Sequence, residues 1–273
     1  MTGKIKSSLC ATVLLLWIPV GALSMVTAKA LRWRRLELAF PRVFHGFVCK
    51  LFGLNCQIEG TPRVDGAALF VSNHVSYMDV FVLGAVLEGA FVAKSEVAGW
   101  PVFGKLAALQ NTLFLERRAA KAREQVSVVQ AHLENRGNLI MFPEGTSTAG
   151  DYVAPFRSSL FAAALGTTVQ PVTIAYTHYD GKPMSSTERD RYAWYLPDPS
   201  EPVPNKPFAE HFLAGLGLKR SEVRVIFHPP LEAHENTDRK QTARYCEAQV
   251  REGLEAALAS EDEWQTHELS PRT

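Results

Sequence analysis

Between Ser7 and Ala28 the chain carries no charged side chain, and Leu9 to Val26 is almost wholly apolar. As a helix that run rises about 33 Å, enough to cross a bilayer core of roughly 30 Å. Pro19 and Gly21 weaken it as a helix in water, yet both are tolerated in lipid. Its flanks are unequal, with Lys4 and Lys6 before it and Lys29, Arg32, Arg34 and Arg35 after it. The excess of cations on the second side places the following domain on the cytoplasmic face of a membrane, the inner membrane in a bacterium. A cleaved secretory signal is the rival, because Ala28-Lys29-Ala30 imitates a cleavage site. The basic run directly behind it argues against export.

Leu36, Phe40, Phe44, Phe47 and Leu51 then recur at helical spacing, with Arg32, Arg35, Arg42 and Lys50 elsewhere on the surface. Such a segment either lies in a lipid interface or packs on the domain that follows, and Pro41 is expected to break or kink it. Residues 1–55 are therefore read as a membrane helix plus an interfacial segment, and 56–259 as one catalytic domain. Residues 260–273 read as a polar, disordered tail. With 273 residues and 47% hydrophobic content the chain can bury one core of ordinary size. Lys and Arg total 29 against 28 for Asp and Glu, which leaves no basic footprint for nucleic acid.

Inside the domain, strand and helix patterns alternate, as in an α/β fold. Ala68 to Val71 reads as a short buried strand and Ser76 to Leu87 as a helix. Ala122, Val126, Val129 and Leu133 form an amphipathic helix stopped by Gly137, followed by a strand from Asn138 to Phe142. Thr167 to Tyr176 and Val223 to Phe227 are further strands. Six prolines between His178 and Pro207 mark a long excursion, and Cys246, Val250, Leu254 and Leu258 line one face of a last helix.

The chemistry concentrates in two short blocks, Asn73 to Asp79 and Phe142 to Ser147. On one regular helix residues 74 and 79 would point about 140° apart, so His74 must precede the helix, in the turn where Asp79 can reach back. Ser76-x-x-Asp79 also has the form of a capping box, in which Asp79 satisfies amides at the helix start. The cysteines Cys10, Cys49, Cys56 and Cys246 make no CxxC pair and no histidines have zinc-helix spacing, so reduced thiols and no metal are expected. Gly145-Thr146-Ser147-Thr148-Ala149 is one residue short of a G-x-S-x-G nucleophile elbow. A Ser147-dependent esterase is thus a competing reading, although His74 comes before the serine where hydrolases of that fold place it after.

Taken as a set, the blocks resemble those of the glycerolipid acyltransferase family, which contains the 1-acylglycerol-3-phosphate acyltransferases. His74 and Asp79 match its HxxxxD motif, and Thr112 to Arg117 its second block, which ends in Arg. Phe142 to Thr146 matches the third, and Val169-Gln170-Pro171-Val172 the fourth, a proline in a strand. Asn111 stands where the second block commonly has Gly, and Ser147 where the third often has Arg. Ala93-Lys94-Ser95-Glu96 and Pro155-Phe156-Arg157 resemble further family segments. Lys94 and Arg157 are either cations of the site or solvated surface residues. Tyr192-Ala193-Trp194-Tyr195 resembles a stretch of the lyso-ornithine-lipid branch, and is equally readable as an apolar aromatic patch.

The resemblance, which covers about residues 60–230, implies a single glycerol-3-phosphate-acyltransferase-like domain: a mixed sheet flanked by helices. It implies acyl transfer from acyl-CoA or acyl-acyl carrier protein, with no cofactor, to the hydroxyl of a lysolipid in the bilayer. The first choice of acceptor is 1-acylglycerol-3-phosphate, with lyso-ornithine lipid or another lysophospholipid as the alternative. His74 is then the base and Asp79 its orienting acid. Arg117 is expected to bind the acceptor's phosphate. Glu144 is expected to order the turn by accepting from Gly145 and its neighbours, and Thr146 to donate toward the acceptor. Gly145, Ser147, Arg157 and Lys94 complete the expected substrate site.

Overall fold

The computed structural model describes residues 3–63, 65–116, 121–164, 166–194, 206–233 and 238–268. Nine strands form one mixed sheet in the order β1-β8-β6-β2-β5-β3-β4, with β7 and β9 also pairing with β6. The strands are β1 Leu54–Glu59, β2 Ala68–Ser72, β3 Ala90–Lys94, β4 Leu113–Leu115, β5 Leu139–Met141, β6 Thr167–Tyr179, β7 Lys182–Pro183, β8 Ser221–Phe227 and β9 Leu231–Ala233. The pairs β1/β8, β2/β5, β2/β6, β3/β5 and β3/β4 are parallel, while β7, β8 and β9 run antiparallel to β6.

Nine helices, α1 Gly3–Ala30, α2 Arg34–Phe52, α3 Met78–Val86, α4 Ser95–Ala98, α5 Phe103–Leu109, α6 Ala122–Arg136, α7 Ser186–Arg189, α8 Phe208–Leu216 and α9 Arg239–Glu268, complete the described elements with a 3-10 turn at Leu160–Ala164. Period-two alternation divides the core. Ala68 and Phe70 of β2 join Ile140, Ile174 and Tyr176 under α2, α3 and α8. Leu69 and Val71 join Leu139, Met141 and Ala175 under α6 and α9. A sheet buried on both faces explains why β2 is apolar at nearly every position, with all five residues buried. Pro171 sits where β6 changes antiparallel partner, from β9 up to Val169 to β8 from Val172. A residue without an N–H breaks no antiparallel pair there.

Three sequence expectations need correction. Pro41 does not end α2, which runs on through it. The apolar residues of α2 pack on protein: Phe40 and Phe47 flank the Trp17 ring at 6.5 and 5.0 Å, and Phe44 is buried. Their burial energy holds the helix despite the lost hydrogen bond. The boundary at 259 is passed by α9, which continues to Glu268, while residues 269–273 lie outside the described residues. The excursion after His178 is also less irregular than its prolines imply, since it contains β7 and α7, the latter closed by a Ser185/Glu188 capping box. Tyr195, Pro197, Pro199, Pro202 and Pro204 are outside the described residues.

Among the described residues α1 is the helix long and apolar enough to cross a membrane, and it does not stand apart from the domain. It packs against α2, α5 and α8. The Lys6 ammonium donates to the Leu218 carbonyl, Ser7 Oγ to the Leu213 carbonyl at 2.5 Å, and Lys29 Nζ to Asn111 Oδ1 at 2.9 Å. Gly21 permits the close approach of α2, because a Cβ there would lie 3.2–3.4 Å from the rings of Phe40 and Phe44. Opposite that seam Ile5, Leu9, Leu16, Val20 and Leu23 fall on one helical stripe and are exposed.

Candidate active site

The turn between β2 and α3 leaves the sheet at the C-terminal end of β2, and the ends of β3, β4 and β5 open onto the same rim. In open α/β sheets ligands bind at this end of the strands. His74 occupies the turn, before the helix, with its Nδ1 2.8 Å from Asp79 Oδ2. A carboxylate accepts hydrogen bonds only, so the ring proton sits on Nδ1 and Nε2 keeps its lone pair.

Asp79 is fully buried, and four donors compensate the loss of water. Oδ2 also accepts from the amides of Val75 at 2.6 Å and Ser76 at 2.9 Å, and Oδ1 accepts from the Tyr176 hydroxyl at 2.8 Å. Ser76 Oγ in turn accepts from the Met78 amide at 3.1 Å. Asp79 thus orients His74 and ties down the turn ahead of α3, but the capping box expected from Ser76 and Asp79 is not formed, since the N-cap position is Tyr77 and carries no side-chain bond.

The imidazole is also held by its faces and its backbone. Phe142 stacks on it with centroids 4.1 Å apart and planes at 16°. The His74 carbonyl accepts from the Thr148 amide at 2.8 Å, and the Val75 carbonyl from the Trp194 amide at 3.1 Å. The ring borders a cleft of about 540 Å³ whose walls include Trp100, Phe142, Trp194, Lys94, Glu116 and Arg157. Beside it lies a smaller apolar cavity of about 140 Å³ between α1, α2, α3, α5 and α8, and the two share Tyr77, Val80, Phe91, Ala93, Val97 and Trp100. A third space, of about 200 Å³, touches Ala90 and Asn138 at the opposite strand ends and contains none of this constellation.

Comparison with known proteins matches this arrangement to a family. The acyltransferase family model covers residues 54–176, from β1 to Tyr176. A lyso-ornithine lipid O-acyltransferase of Brucella abortus is 38% identical over 236 residues, which cover 83% of this chain and 84% of that protein. The chain belongs to the acyltransferase family. A lyso-ornithine lipid O-acyltransferase of Rhizobium meliloti is 32% identical over 94% of this acyltransferase and 89% of its own length. A 1-acyl-sn-glycerol-3-phosphate acyltransferase of Neisseria gonorrhoeae is 33% identical over 48% of this chain and 52% of that one. The crystal structure of the 1-acyl-sn-glycerophosphate acyltransferase PlsC from Thermotoga maritima shares the fold, with a TM-score of 0.65 and 20% identity over 93% and 94% of the two chains.

Within the acyltransferase, the expected substrate residues divide into three groups. Lys94 at the end of β3, Gly145, Ser147 and Arg157 border the cleft, the last exposed at its rim with its amide bonded to the Pro143 carbonyl. Thr146 lines it too, with its exposed hydroxyl 3.5 Å from the Ser147 carbonyl, too long to engage the donor. Arg117 lies outside the described residues, although Glu116 beside it reaches the cleft and pairs with Lys121 at 2.8 Å. Ser147 is not at an elbow, since irregular chain rather than a helix follows it, and no hydrogen bond joins it to His74.

Glu144 differs from expectation in its partners. Its oxygens accept from the His74 amide at 2.6 Å and the Ala154 amide at 2.7 Å. Gly145, at φ +74°, turns its own amide to the Phe142 carbonyl at 3.1 Å. The carboxyl thus ties the third block to the catalytic turn. Burial pushes its pKa from 4.5 up to about 8, against the pull of both amides. A raised carboxyl binds its proton more tightly folded than unfolded, so this contribution to stability is present below pH 4.5 and is lost as pH rises through about 8. From pH 6 to 9 the wild type should lose on the order of 2 kcal/mol by this route. Glu144→Gln, neutral throughout, should show a shallower fall in denaturant unfolding, and equal slopes would contradict the assignment.

Three contributors went unread in the sequence: the Tyr176 hydroxyl, the Phe142 face and the Trp194 amide. Tyr176 had a usable signal, as a fully buried phenol on the β6 face that carries Val172 and Ile174. The Trp194 amide had none, because a backbone donor is anonymous in sequence.

Proposed function

We propose that this acyltransferase moves a fatty acyl group from the thioester of coenzyme A or acyl carrier protein to the free hydroxyl of a lyso-ornithine lipid. The chemistry rests on the bare Nε2 of His74 at the edge of a cleft large enough for both reactants. The acceptor oxygen attacks the thioester carbonyl as its proton passes to Nε2. The C–S bond then breaks, and the leaving thiolate recovers that proton from the imidazolium. A thioester is already activated, so no acyl-enzyme is required. Asp79 fixes the tautomer and stabilises the transient cation. The apolar cavity beside the cleft suits an acyl chain.

The acceptor is argued from the relatives named for lyso-ornithine lipid, which match over most of this chain, whereas those named for 1-acylglycerol-3-phosphate in Neisseria match over about half. The cleft also carries both signs of charge, with Lys94 and Arg157 facing the same space as Glu116. An ornithine headgroup bears a carboxylate and an ammonium, a phosphate only negative charge. The phosphate acceptor, ranked first by the sequence alone, keeps the support of Arg117, whose planar fork suits phosphate. The exposed stripe of α1 and the basic run from Lys29 to Arg35 hold the cleft at the cytoplasmic face of the membrane, where the acceptor's tail stays in lipid.

The test is thiol release by purified protein in phospholipid vesicles, with each acyl donor and each lysolipid in turn. Lyso-ornithine lipid should give at least tenfold higher kcat/KM than 1-acylglycerol-3-phosphate. A reversed preference would restore the phosphate acceptor, and no lysolipid-dependent thiol release would remove the transferase reading.

A further inference from the structure

We propose that Tyr176 is a positioning residue that tunes the basicity of His74 through Asp79. This rests on the reading of His74 as the base. The Tyr176 hydroxyl donates at 2.8 Å to Oδ1, the Asp79 oxygen that His74 does not use. Each donor to a carboxylate draws charge from it, so Tyr176 makes Asp79 a weaker acceptor for the His74 Nδ1 proton.

The phenol meets Asp79 from inside the core. It is 1% exposed, so it cannot reach substrate. Its ring is stacked on Tyr192 at 5.1 Å and 29°, and the Tyr192 hydroxyl is bonded to Ser221 Oγ. The stack fixes the angle from which the hydroxyl meets Oδ1. Burial, with the charge of Asp79 second, holds the Tyr176 hydroxyl well above the usual phenol range, so it remains a donor across the working range of pH.

The ionisable groups gathered around the pair are His74 from the turn, Glu144 from beyond β5, Cys49 from α2 and Cys56 from β1. All of them stay in place when the Tyr176 hydroxyl alone is removed, so a Tyr176→Phe comparison isolates its bond. Without that bond Asp79 attracts protons more strongly and holds the imidazolium more tightly. Both effects require a higher pH to reach the active form, neutral His74 beside ionised Asp79.

The experiment is the pH profile of kcat/KM for the wild type and Tyr176→Phe in vesicles, with the acyl thioester and whichever lysolipid the wild type accepts. A hydrogen bond to a charged group corresponds to about one pH unit. The acid limb should therefore move up by about that much. Activity at pH 7 should fall several-fold and recover at higher pH, with both KM values unchanged. A limb that stays in place, or a loss equal at every pH, would show that the hydroxyl is merely structural and overturn the assignment. His74→Ala is measured alongside: if it keeps wild-type turnover the base itself is wrong, whereas an inactive His74→Ala with an unmoved Tyr176→Phe limb sinks only the role of Tyr176.

Discussion

Replacing His74 by Ala is expected to lower turnover by about 10² to 10⁴, the range that general base catalysis contributes, while leaving the fold intact. The stability half of that expectation follows from the hydrogen bonds around Asp79. With the imidazole gone, its carboxylate still accepts from Val75 N, Ser76 N and Tyr176 Oη, so the turn keeps three of its four ties. The His74 side chain is 21% exposed, and its loss opens no closed core cavity. Turnover is read as lysolipid-dependent thiol release, and folding by circular dichroism and thermal unfolding. Near-normal turnover in a folded His74→Ala would remove the base mechanism.

Asp79 separates two effects that His74 cannot. In Asp79→Asn the side chain keeps its shape; its amide oxygen takes the Oδ2 position, where His74 Nδ1 and the Val75 and Ser76 amides all donate, and its NH2 turns to the Tyr176 hydroxyl oxygen, so the tautomer holds but the negative charge is gone. Turnover should fall by about 10² to 10⁴ through loss of the charge that stabilises the imidazolium. Asp79→Ala removes the acceptor altogether and leaves two buried amides and a buried phenol without a partner. Each unmet donor costs about 1–3 kcal/mol, so Asp79→Ala should lose several kcal/mol in denaturant unfolding and Asp79→Asn distinctly less. Equal stability of the two variants would mean that the bonds to Asp79 do not hold the turn.

The parts of this fold legible in the sequence are those set by local pattern. Strand β2, helix α6 with its stop at Gly137, and strand β8 announce themselves through periodicity and a terminating glycine. The incompatibility of positions 74 and 79 on one helix placed His74 in the turn before the helix, where the structure has it, with Nδ1 2.8 Å from Asp79 Oδ2. Long-range contacts were not legible. The partners of Glu144 come from residues 70 positions before it and ten after it, and β9 is three residues whose pairing with β6 supplies all their meaning. Pro41 misled because propensity was weighed without the burial of Phe44, Val48 and Phe52 that outweighs it.

The attachments of α1 bear on what a shortened chain would be. An anchor joined by a free linker could be cut away to release a working enzyme. Here the first helix is bonded near its start to the Leu213 and Leu218 carbonyls and near its end to Asn111, and Leu14 and Ile18 wall the apolar cavity beside the cleft. Truncation would strip a wall from that cavity and bare the aromatic seam of α2. Because the same helix carries the exposed apolar stripe and encloses that cavity, whatever shifts one shifts the other.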